Sequence, residues 1–207
     1  MMHFFNGGKL RPLDWVPDDI ATHLAFHWHM QRAFKYSETL VNAYSDDVKN
    51  QEVWWGTIDS IRDDEDGPMV DIRKDIVMHM GTRATYISDY VKPIDIDSEQ
   101  TAVAMEIVGD VKVVAKAIDQ MMANDPDAKK HIVGDKIVWE VVPPPAERGE
   151  EQSRPASYLI AYGHLFRASH ADILKKLAVM PAKQLAKAED LQKVNAELDK
   201  LSDDQES

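Results

Sequence analysis

Residues 71–89, reading DIRKDIVMHMGTRATYISD, change hydrophobic period part-way along, so the chain passes here from helix to strand with almost no loop between. Asp71 suits the free N–H groups of a first helical turn. Ile72, Ile76 and Met80 share one helical face, and Gly81 offers the left-handed residue that ends a helix. From Thr82 to Tyr90 the pattern is that of a strand. A helix delivered straight into a strand belongs to folds in which helices pack on a sheet.

Upstream, ATHLAFHWHM (residues 21–30) alternates Leu24, Phe26, Trp28 and Met30 with His23, Ala25, His27 and His29, which predicts a strand with one buried face. Phe34, Ser37, Val41, Tyr44 and Val48 then recur at helical steps. Trp54, Ile58 and Ile61 stripe a second helix, which the acidic loop DDEDGP (63–68) stops. Downstream of the junction, Val103, Met105 and Ile107 share a strand face. Asp110 then caps a helix whose stripe is Val111, Val114, Ile118, Met121 and Met122. HIVGDKIVWEVV predicts a hairpin turning at Gly134-Asp135, and SYLIAYGHLFRAS another about Gly163-His164. Ser169, with Asp172 three residues on, predicts the cap of a helix closed by Pro181. Leu191, Val194, Leu198 and Leu201 stripe a last helix over roughly 186–201.

The order strand, helices, strand, strand, helix, strand predicts an α+β fold: an antiparallel sheet with helices packed on one face, a ferredoxin-like split βαβ core extended by hairpins. Residues 1–12 read as a flexible lead-in, 13–142 as the α+β core and 143–156 as an exposed connector rich in Pro and Glu. Residues 157–202 hold a hairpin and two helices that either continue the sheet or begin a second, truncated unit, and 203–207 fray.

A balance of 24 basic against 36 acidic side chains, net −12, repels nucleic acid and anionic lipid, and no basic patch overrides it. No apolar run approaches the roughly 20 residues of a membrane-spanning helix, so direct insertion is not expected. Without cysteine there is no disulfide, thiolate metal site or cysteine nucleophile, and the redox compartment stays open.

His23, His27 and His29 are the sharpest chemical feature, three imidazoles that together suit a transition metal if a further ligand joins them, His79 and His131 being available. Their ordinary alternative is a solvated second sheet face. The zincin pattern fails, because no glutamate follows His23. Asp63, Asp64, Glu65, Asp66 and Gly67 suggest calcium. Counted as an EF-hand, however, Arg62 and Arg73 fall on the first and twelfth ligand positions, so a solvated turn fits better. Five tryptophans are able to stack a sugar or base, yet most sit on apolar stripes. Trp54 and Trp55 cannot both face inward, so Trp55 is expected at a contact with another part of the molecule or a partner. No nucleophile elbow and no phosphate-cradling glycine loop is present.

The stretches VDIRKDIVMHMGTRATYISDY, SEQTAVAMEIV, DPDAKKHIVGDKIVWEVV and YGHLFRASHADILKKL resemble an uncharacterised family of large bacterial exported or envelope-anchored proteins, built around a domain of unknown function. The resemblance runs from about Trp15 to Leu201 and carries no catalytic signature, cofactor or site residue. It implies an envelope or periplasmic setting, with another segment of a longer parent chain or an envelope protein as partner. It also implies that this chain is a segment of something longer, since no export leader is recognisable in it. Without such a leader upstream the setting is the cytoplasm. The function expected is a non-catalytic structural or binding module, with no cofactor. The alternatives are a metal-dependent enzyme using His23, His27 and His29, and a cytoplasmic protein–protein adaptor using the C-terminal helix.

Overall fold

In the computed structural model, residues 10–44, 53–65, 67–95, 98–145 and 153–203 are described. The expected lead-in over 1–9, Val48, Asp66, the middle of the connector and the last four residues lie outside them. One antiparallel sheet of seven strands organises the rest, in the spatial order β1-β2-β3-β7-β6-β5-β4. Its strands are β1 (Thr22–His27), β2 (Met80–Tyr90), β3 (Glu99–Ile107), β4 (Ala128–Val133), β5 (Lys136–Val141), β6 (Ala156–Ala161) and β7 (His164–Ala168). The helices are α1 (Met30–Tyr44), α2 (Val53–Asp63), α3 (Val111–Ala123), α4 (Ala171–Ala178) and α5 (Glu189–Asp203).

The α+β class and the antiparallel sheet are as expected, but the finer connectivity differs from a split βαβ core. That core needs a parallel pair, and here every neighbouring pair is antiparallel. After the β2–β3 hairpin the chain leaves the sheet through α3, reaches the far edge at β4, and meanders back until β7 docks on β3. The late hairpin β6–β7 therefore lies in the middle of the sheet.

Helices cover both faces of that sheet, not one. Ala102, Ala104, Phe166 and Leu159 turn toward Leu174 and Leu177 of α4 and toward Trp15 and Val16, which precede β1. Met80, Ala84, Met105 and Ile107 turn the other way, toward Val114, Ile118 and Met122 of α3. Strands covered on both faces carry apolar residues at successive positions, and β3 and β6 are written that way. Alanines at 102, 104 and 168 leave the α4 side flat enough for the helix to sit close.

Local chemistry explains most element ends. The Asp110 carboxylate accepts from the Lys112 N–H at 2.8 Å and starts α3. Gly134 turns the β4–β5 hairpin at φ +62°. In the second hairpin the turn is Tyr162-Gly163, one residue earlier than the sequence suggests, with both residues at positive φ as a primed turn requires. Ser169 does not cap α4: its N–H and hydroxyl extend the ladder to Thr101, and His170 stands at the cap position with its Nδ1 2.9 Å from Ser169 Oγ and no side-chain bond to the helix.

Around the junction at 71–89, Asp71 does accept from Lys74 N–H at 2.9 Å, while Asp75 Oδ2 accepts from Asp71 N–H. The segment is not an α-helix, though: Ile72–Ile76 form one wide π turn and Val77–His79 a tight 3₁₀ turn. The wide turn rotates the buried face, so that Val77 and Met80 are buried and Ile72 is not. Gly81 lies within β2 at ordinary φ. It serves close approach, since a Cβ there would stand 2.7 Å from Glu106 Oε2 and 2.8 Å from Val108. β1 ends at His27, and Leu24, expected inside, is 55% exposed, whereas Phe26, Trp28 and Met30 pack on the α3 side.

Candidate functional site

The three histidines of the β1 region do not converge. His23 and His27 stand on one sheet face four residues apart, a span of about 13 Å at the rise of a strand, and His29 lies past the strand end. His27 Nδ1 is 3.4 Å from Thr82 Oγ1, and the His29 carbonyl accepts the Ala33 N–H at the start of α1. His23 is half-buried, and burial, then the nearby Arg83 charge, lowers its pKa. Among the described residues no three His, Asp or Glu side chains are grouped so as to hold a metal ion. His79 accepts the Asp110 N–H on Nδ1, and His131 pairs with Glu140 across β4 and β5 at 2.7 Å, so each is already engaged. In the acidic loop the Gly67 N–H closes back on the Asp64 carbonyl as a plain turn.

The tryptophans divide as their patterns imply. Trp15 is buried edge-on against Phe166 and His164, and Trp54 packs its ring on Phe34 of α1. Trp55 donates its indole N–H to Glu38 of α1 at 2.8 Å and lies under the Arg73 guanidinium, a contact with another part of the molecule. Among the described residues His164 is the most buried imidazole. Its Nδ1 is 2.7 Å from the Tyr162 carbonyl, which requires the proton on Nδ1, and its Nε2 meets no hydrogen-bond partner among the described residues. Burial lowers its pKa, with the carbonyl bond opposing.

A cleft opens where α3 crosses the sheet. Val111, Ala115 and Ile118 form one wall, Ile137, Trp139 and Ile160 the other, and the Tyr162-Gly163 turn also lines this open groove of about 350 Å³. Its polar groups are few and already bonded. Asp119 accepts the Trp139 indole N–H at 2.8 Å, and Asp135 pairs with Lys136 at 3.0 Å. Lys130 lies over the Trp139 ring at 5.4 Å, and Lys136 over the Tyr162 ring at 5.2 Å. Asp119 is thus tied to the Trp139 side of the rim, the Asp135–Lys136 pair is exposed, and the walls are apolar, the composition of a site that holds an apolar group by shape and burial. Sequence patterning assigns Ile118, Ile137 and Trp139 to the core. It misses the cleft because the position of α3 depends on a crossover from β3 to the far edge that no local pattern records.

Compared with family models, with curated proteins and with solved structures, the chain matches none.

Proposed function

We propose that the protein is a non-catalytic binding module whose ligand is a small apolar molecule of aromatic size, held in the cleft between α3 and the β5–β6 strands. The observation that carries this reading is the cleft itself: apolar walls on both sides, with rim carboxylates already committed to Trp139 and Lys136. Asp119 and Asp135 serve the protein's own contacts, so the apolar walls are the feature a ligand would meet.

Titration with the neutral fluorophore N-phenyl-naphthylamine tests it. Saturable one-to-one binding with Kd on the order of micromolar is expected. Ala115→Phe fills the cleft from the α3 wall and abolishes the signal while leaving the circular dichroism unchanged. Unaltered binding by the folded Ala115→Phe variant refutes the reading. An exported or envelope setting remains part of the proposal on the resemblance of residues 15–201 alone. An in-frame leader encoded upstream supports it, and an in-frame stop codon immediately upstream removes it.

A further inference from the structure

The last helix is mounted the wrong way round for an amphipathic element. Gln192, Asn195 and Asp199 face the lead-in residues Arg11 and Pro12, and Asp199 forms an ion pair with Arg11. Val194 and Leu198 are left 54% and 56% exposed. An amphipathic helix ordinarily buries its stripe, and one that docks by its polar edge keeps the stripe for something else.

Spacing and charge describe that occupant. Leu191, Val194, Leu198 and Leu201 follow the three-four-three step of a helix–helix seam. Asp190 and Glu197 border the seam on its outer side, at the positions that select a partner helix by charge. Lys193 reaches Asp190 only at 3.8 Å, in an exposed pair of the kind that contributes little. A second copy of the chain in antiparallel pairing would set acid against acid, on a molecule already at −12. A membrane surface is matched poorly as well, since interfacial helices carry Lys and Arg beside the apolar face. We propose that Val194 and Leu198, the outward part of the α5 stripe, dock one amphipathic helix of another protein, with its apolar seam flanked by lysine or arginine. This surface shares no residue with the cleft beneath α3.

The test uses the full chain and a fluorescein-labelled helical peptide of leucine and lysine, about 15 residues long, with a leucine–glutamate peptide as counterpart. By anisotropy in about 0.15 M salt, the wild type binds the leucine–lysine peptide and not its counterpart. Val194→Ser with Leu198→Ser weakens binding about tenfold or more. Asp190→Lys with Glu197→Lys also weakens it, and both variants keep fluorophore binding in the α3 cleft. Equal peptide binding by wild type and the serine variant overturns the proposal. So does a sedimenting dimer that the serine variant dissolves, which would make a second copy the occupant.

Discussion

At Gly109 the chain leaves β3 with no room for a side chain, because the His79 imidazole occupies the space where a Cβ would stand. The same imidazole accepts the Asp110 N–H, and the His79 carbonyl accepts from Val108 and Gly109. Gly109→Ala is therefore expected to destabilise by about 1–3 kcal/mol through overpacking, read as a lower urea midpoint. Adding His79→Ala should recover part of the loss; full additivity would deny the contact. His23 and His164 make a pH prediction. Both have folded-state pKa values below the ordinary 6.5, first through burial. Above pH 6.5 both are neutral, folded or unfolded, and full stability is present. As pH falls through 6.5 the unfolded chain takes up protons that the folded one refuses, so stability drops. Urea midpoints between about pH 7.5 and 5.5 should fall, less steeply in His164→Gln; an unchanged slope would remove His164 from the account. Asp71, Asp110 and Gly134 are legible in the sequence because each acts on its immediate neighbours. Tyr162 at φ +54° is not, since its conformation is held from afar by the stack on Trp15 and by its hydroxyl donating to the Ala178 carbonyl.

At the scale of elements, a local signal was enough for α3, whose cap, stripe and following Pro126 all agree. Asp110→Ala should cost about 1 kcal/mol, and the loss should appear as faster amide exchange in the first turn of α3 rather than in β1. A local signal failed at residues 72–80. The spacing of Ile72, Ile76 and Met80 is helical, yet the Val77 N–H reaches back to the Ile72 carbonyl as well as to Arg73, which widens the turn, and Val77 is the residue that ends up inside. Period alone could not separate these outcomes, because the choice is made by where β2 must begin. Ser169 shows the same competition. Its sequence reads as a cap, but the ladder to Thr101 claims its hydroxyl.

For the molecule as a whole, the central place belongs to β3 and β7, which join the N-terminal strands to the returning meander. One cooperative unfolding transition is expected, with β3 and β7 amides the slowest to exchange. A chain ended after Pro145 should not fold cooperatively, since β3 and β5 would face each other across two missing strands. Class and most elements were readable, because strand and helix periods are local. Which face each helix takes, and hence the cleft, was not readable, because it depends on the pairing of β7 with β3. The most direct measurement is a two-dimensional amide and indole NMR titration with N-phenyl-naphthylamine. Binding in the cleft predicts shifts at Ala115, Ile118, Ile137, Gly163 and the Trp139 indole, with α5 and β1 silent. Shifts confined to α5, or no shifts at saturation, would contradict it.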